Sequence, residues 1–223
     1  MKVDICRNSF VCAAGAVLAV TLVGCAVGTS EHDRKYYLLE AVRQGPAATG
    51  RSEATLRVRR FDVDTAFAGK GLVYRISEFQ YESDHYHEFL IPPGIMIAEQ
   101  TRDWLVNSGL FRRVLPVRSP LESTYLLEGN VTALYGDFTN KAAPQAVMEI
   151  RFFLVGPPDA GETVMFAQTY RAVTPVPART AEAFIGTLSR GLAEILTRME
   201  ADLQKALAER PAEPAPVVPS PES

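Results

Sequence analysis

Cysteine is scarce in this chain and confined to one end. Of 223 residues only Cys6, Cys12 and Cys25 are cysteine. Everything beyond Cys25 therefore has no disulfide framework and no thiolate metal ligands, and its stability must come from packing. Histidine is as rare, with His32, His85 and His87 alone. Charge of one sign is missing too: 23 Lys and Arg stand against 26 Asp and Glu, a net charge of −3. Such a balance gives no electrostatic case for nucleic acid as a partner. Neither a Gly-x-Ser-x-Gly elbow, a Walker loop nor a dinucleotide fingerprint occurs, so no cofactor is expected. No internal repeat is visible.

Long hydrophobic runs are absent with one exception, and that exception organises the rest. Lys2 and Arg7 precede an apolar run from Phe10 to Val23, which closes in Leu22-Val23-Gly24-Cys25. A small residue before a cysteine at the end of such a segment reads as a lipobox. Lipoprotein signal peptidase would cut before Cys25, whose thiol is the nucleophile that takes the lipid. Gly24 suits a narrow peptidase subsite. The run fits the roughly 7–15 residues of a signal h-region. An uncleaved anchor, Ser9 to Gly28, is the alternative, since it approaches the roughly 20 residues of a spanning helix. Loss of Lys2, Asp4 and Arg7 with the signal leaves the mature chain one unit more acidic. Ala26 follows the acceptor, where Asp is the usual inner-membrane retention signal of Gram-negative lipoproteins. Its absence implies the periplasmic leaflet of the outer membrane.

The mature length suits one domain with a real core. Residues 25–35 read as a lipidated tether, 36–208 as the domain, and 209–223 as a disordered proline-rich tail. Tyr36 to Leu39 is a short strand and Gln44 to Ser52 a loop. Ala54 to Val63 is a strand whose apolar phase slips between Leu56/Val58 and Phe61/Val63, which predicts a bulge near Arg59-Arg60. Arg57, Arg59 and Arg60 form a small basic cluster, read first as a solvated strand face and second as a headgroup or partner contact. Leu72, Tyr74 and Ile76 alternate, then Phe79 and Tyr81 take the opposite phase, so this strand is broken at Ser77-Glu78.

Ile91-Pro92-Pro93-Gly94 starts a helix with its apolar stripe on Ile97, Thr101, Trp104, Leu105 and Ser108, ended by Gly109. Leu110 to Leu115 returns as a strand. Three further strands follow, with Tyr125, Leu127, Val131, Ala133 and Tyr135 assigned to one face of the first. Short connections favour an antiparallel meander. Thr180 N-caps a long helix with Glu182 in its first turn. The fold class is α+β or α/β: a single domain whose mixed β-sheet, with an antiparallel meander, is packed by two long helices, Gly94–Ser108 and Thr180–Ala208. Strand order is left open.

Only Asp84-His85-Tyr86-His87-Glu88 has metal-ligand residue types in a cluster. On a strand, His85 and His87 would share a face, but zinc asks for a third protein ligand and a supporting shell, and His32 lies in the tether. No metal is expected. Glu78, Glu82, Asp84 and Glu88 read as solvated or paired with Arg75 rather than as an acid/base pair. The residues make no case for an enzyme.

Several stretches in order carry a resemblance. These are Tyr36-Tyr37-Leu38, Leu56-Arg57-Val58-Arg59-Arg60-Phe61, Gly71-Leu72-Val73-Tyr74-Arg75, and Tyr81-Glu82-Ser83-Asp84 with Tyr86 and Phe89. A helix with Trp104-Leu105 and ending Gly109-Leu110-Phe111 follows. Together they resemble the ABC-type transport auxiliary lipoprotein family over most of residues 25–205. The resemblance implies a non-enzymatic outer-membrane lipoprotein working with an inner-membrane ATPase and permease and an MCE-type periplasmic protein. It implies lipid cargo, most often phospholipid, and allows ring-like self-assembly of the chain. Membrane lipid would be contacted through acylated Cys25. The stretch holding Tyr74, Arg75, Tyr81, Asp84, Tyr86 and Phe89 is the candidate docking surface. A periplasmic lipid carrier with its own apolar cavity is the alternative.

Overall fold

A computed structural model describes residues 33–48, 51–156 and 163–209. Leu22, Val23, Gly24 and Cys25, the tether up to His32 and the proline-rich tail from residue 210 lie outside the described residues. The described residues from Arg34 onward belong to one compact unit. Among the described residues no helix is long and apolar enough to cross a membrane.

The strands are β1 (Lys35–Tyr37), β2 (Ser52–Val58), β3 (Asp62–Val63), β4 (Gly71–Arg75), β5 (Tyr81–Phe89), β6 (Phe111–Leu115), β7 (Tyr125–Asp137), β8 (Gln145–Val155) and β9 (Val164–Pro175). The helices are α1 (Pro93–Ser108) and α2 (Ala181–Ala208). This is the single α+β domain the sequence predicts, with all nine strands in one mixed sheet.

β7 organises the sheet. One of its edges pairs along its whole length with antiparallel β8, which in turn pairs with antiparallel β9, the expected meander. Its other edge is shared in series by β2, β3 and β4, all parallel to it. β6 extends the sheet beyond β2 in parallel, while antiparallel β5 and then β1 extend it beyond β4. Parallel neighbours need long crossovers, and α1 is the last element of the one that carries the chain from β2 to its parallel neighbour β6.

The phase slip after Val58 is a break: the chain leaves the sheet and re-enters as β3. Phe61 turns into the core there, 5.6 Å from Phe152 edge to face. Two glycines make room for it. A Cβ on Gly129 would lie 2.6 Å from the Phe61 ring, and one on Gly94 would lie 2.3 Å from the Phe61 carbonyl oxygen. A second slip went unread in the sequence. β7 bulges between Val131 and Ala133, so Leu134 pairs with Met148 on the inner side while Tyr135 pairs with Val147. Directly paired residues share a face, so Ala133 and Tyr135 leave the face of Tyr125, Leu127 and Val131. Tyr135 is buried on its own side by Phe67, stacked at 5.7 Å, and Tyr81, edge-on at 5.6 Å.

Pro92-Pro93 opens α1, where a missing N–H costs nothing, and Gly109 closes it with φ 67°. The Thr180 hydroxyl accepts from the Ala183 amide at 3.2 Å to start α2. The stripe Phe184, Leu188, Leu192, Ile195, Met199 and Leu203 is buried against β8 and β9. Truncating such side chains to alanine costs about 2–5 kcal/mol each. α1 packs beside α2, over β2, β3 and β6.

Residues 38–48 strap the two helices together. The Leu39 amide reaches Met96 Sδ at 3.3 Å, Ala41 donates to Gln100 Oε1 at 2.8 Å, and Glu40 donates to Ser189 Oγ at 3.2 Å. A strap without strand partners thus has amides satisfied by helix side chains.

Candidate functional site

The β4–β5 hairpin carries most of the residues singled out in the sequence. Its turn is closed by the Ile76 amide donating to the Gln80 carbonyl at 2.9 Å. The register then jumps from Val73 opposite Ser83 to Gly71 opposite Glu88, so Asp84 to His87 bulge out of the ladder. Asp84 holds the bulge. Its carboxylate accepts from the Tyr86 amide at 2.8 Å and the His87 amide at 3.0 Å, and lies 2.9 Å from His87 Nδ1. Burial alone would raise the Asp84 carboxyl, but these hydrogen bonds outweigh it and hold the group below the ordinary carboxylate range.

The bulge faces the start of α2 across a hollow of about 350 Å³. Tyr74, Asp84 and His87 line it from the hairpin, Phe138 from the end of β7, and Arg179 and Glu182 from the approach to α2. Tyr74 meets Phe138 edge-on at 5.3 Å and leans on Phe184 at 5.4 Å, while the Arg179 guanidinium lies 5.5 Å from the Phe138 ring centre. Tyr37 OH donates to Glu182 Oε1 at 2.9 Å, tying β1 to the helix start. Burial first, then that carboxylate, pushes the Tyr37 hydroxyl up to about 12. Burial also raises Tyr74.

The six predicted docking residues separate. Tyr74 and Asp84 come together at the hollow. Arg75 sits at the base of the turn, 3.4 Å from Asp137 and donating to the Glu78 carbonyl at 3.2 Å, so its carboxylate partner is on β7 and not on β5. Tyr81 and Tyr86 are 46% and 49% exposed. Phe89 is a correction: at 3% exposed it belongs to the core, because the bulge returns β5 to the inner phase at its last residue. Within the same bulge the His87 ring is engaged by Asp84. Among the described residues no group of three His, Cys, Asp or Glu side chains could hold a metal ion.

Two features were missed. Phe79, at the hairpin turn, is 88% exposed, which its place in an alternating pattern concealed. The meeting of Tyr37 with Glu182, 145 residues apart, leaves no local signal.

The family model described as the ABC-type transport auxiliary lipoprotein component matches residues 37–200, the span that holds the strap, the hairpin, α1 and most of α2. The chain belongs to this family. No curated protein matches it. Among solved structures, protein XCC0632 from Xanthomonas campestris is similar with a TM-score of 0.69 at 16% identity, over 77% of this chain and 96% of that one. An uncharacterized protein is similar with a TM-score of 0.61, again at 16% identity, over 77% and 99%. At such identities the likeness shows that the auxiliary lipoprotein shares its fold with both.

Proposed function

We propose that this auxiliary lipoprotein is a non-enzymatic docking component of an ABC/MCE-type transport system that moves lipid, in particular phospholipid, across the periplasm. It is anchored through acylated Cys25 in the periplasmic leaflet of the outer membrane. The observation that carries the reading is the family match over residues 37–200, joined to the Leu22-Val23-Gly24-Cys25 lipobox. Three acyl chains, at about 0.8 kcal/mol per buried CH₂, hold such a protein far more firmly than one. Confinement on a short tether then raises its effective concentration for a partner that spans the envelope.

The β4–β5 hairpin is the docking element. Phe79, Tyr81 and Tyr86 expose aromatic surface on it, and exposed clustered aromatics mark interaction sites. The lipid-carrier reading is less well supported, because hollows of about 350–420 Å³ each carry charged side chains. They suit a polar group better than two acyl chains.

Density-gradient separation of inner and outer membranes tests the anchoring. The wild-type chain is expected in the outer-membrane fraction, and Cys25→Ser outside it. Wild-type protein found wholly in the inner membrane would remove the outer-membrane placement.

A further inference from the structure

A second hollow, of about 400 Å³, opens between the end of β2, α1 and the segment after β6. Val58 and Ala98 form a buried apolar floor. Arg60, Arg102 and Arg118 line it with a single carboxylate, Glu99. Arg102 is engaged by its neighbour Asp103 at 2.6 and 3.0 Å. Arg60 and Arg118 are exposed and, among the described residues, make no hydrogen bond or ion pair. A chain with net charge −3 thus concentrates guanidinium groups at one concave place and leaves two of them uncommitted.

An adjoining hollow of about 420 Å³ shares Val117 and is lined by Arg57 and Arg59. Arg59 is paired with Glu128 at 2.6 Å. Arg57 donates through Nη2 to the Leu121 carbonyl, yet its Nε is buried with no hydrogen-bond partner among the described residues. Guanidinium forks match the oxygens of phosphate in paired hydrogen bonds, and the apolar floor has room for a short carbon stub beside them. The volume falls in the roughly 300–1,000 Å³ range of small-ligand sites.

We infer that the hollow lined by Arg60, Arg102 and Arg118 is a binding site for a phosphate ester, in which the arginines hold the phosphate and Val58 and Ala98 meet its apolar part. The site is distinct from the hairpin hollow and does not depend on which transporter the protein serves. The phosphate can come from a lipid headgroup or from a soluble ester.

The test is calorimetric titration of the full chain in a nonionic detergent with dihexanoyl phosphatidylglycerol and, separately, with inorganic phosphate. Binding of at least one probe is expected, weakened about tenfold or more in Arg60→Gln/Arg118→Gln at an unchanged melting temperature. Tighter binding of the short-chain lipid assigns the site to lipid headgroups, and equal binding assigns it to soluble phosphate. Each single substitution is expected to lose affinity as well, which keeps the test open should the double variant melt early. Binding of neither probe, or full affinity in the folded variants, would overturn the site.

Discussion

Arg43 grips Glu200 with two hydrogen bonds, Nε to Oε2 at 2.9 Å and Nη2 to Oε1 at 2.8 Å, and Trp104 Nε1 donates to the same Oε2 at 2.7 Å. One carboxylate on α2 therefore fastens both the N-terminal strap and α1. The pair is largely buried, with side chains 11% and 13% exposed, so removing one partner strands a charge in a place water reaches poorly. Arg43→Ala is expected to destabilise the domain by about 3 kcal/mol. Trp104→Phe, which removes one hydrogen bond, is expected to cost about 1 kcal/mol from that bond plus a packing loss. Urea unfolding at unchanged slope measures both, and a midpoint unaltered in Arg43→Ala would refute the pin.

Two glycines are expected to respond in opposite directions to alanine. At Gly94 the new Cβ would sit 2.3 Å from a backbone oxygen of Phe61, and backbone cannot step aside cheaply, so a loss of about 1–3 kcal/mol is expected. At Gly186, inside α2, the nearest atom is a mobile Arg190 nitrogen at 3.8 Å. There alanine is expected to stabilise by about 0.5–1 kcal/mol through helix propensity. Thermal melting of the two variants reads the signs.

Acid should loosen the hairpin. Burial tends to raise the carboxyls of Asp84 and Asp137, but hydrogen bonds outweigh it in both, and each is held below its ordinary value. A depressed folded-state pKa gives stability that is complete above the unfolded value, about 3.9, and is lost as pH falls through the lower folded value. Asp84→Asn and Asp137→Asn are expected to lower the melting temperature at pH 7 and to flatten its fall below pH 4. An unchanged acid slope in both variants would contradict the assignment.

Much of this molecule can be read from local pattern. The proline pair before α1, Gly109 after it, Thr180 before α2 and the alternating runs of β7, β8 and β9 each announce an element through chemistry within a few residues. The slips near Arg59-Arg60 and Ser77-Glu78 were legible as phase changes. The bulge at Thr132 was not, because Ala133 and Tyr135 remain apolar and the alternation looks unbroken. Phe89 was misplaced for a related reason: exposure at the end of β5 depends on a bulge whose cause, the Asp84 carboxylate holding two amides, is a hydrogen-bond pattern and not a hydrophobic one. The parallel order around β7 and the strap over both helices rest on contacts between residues far apart in sequence.

The docking proposal separates from stability at the hairpin turn. Phe79 is so exposed that Phe79→Ser is expected to change the melting temperature little, and Tyr86→Ala is expected to act similarly, while Phe89→Ala should cost about 3–5 kcal/mol as a core truncation. Phe79→Ser/Tyr86→Ala is therefore the variant that should lose partner contact while remaining folded. Equal partner recovery with wild type would remove the hairpin as the docking element.

The most direct measurement is a chemical crosslinking pull-down of the full lipidated chain from intact cells, with mass spectrometry of what is recovered. The account predicts an MCE-domain protein, crosslinked to the β4–β5 hairpin and diminished in Phe79→Ser/Tyr86→Ala. Recovery of lipid from a protein that crosslinks to no transporter component would contradict the docking role and favour a carrier.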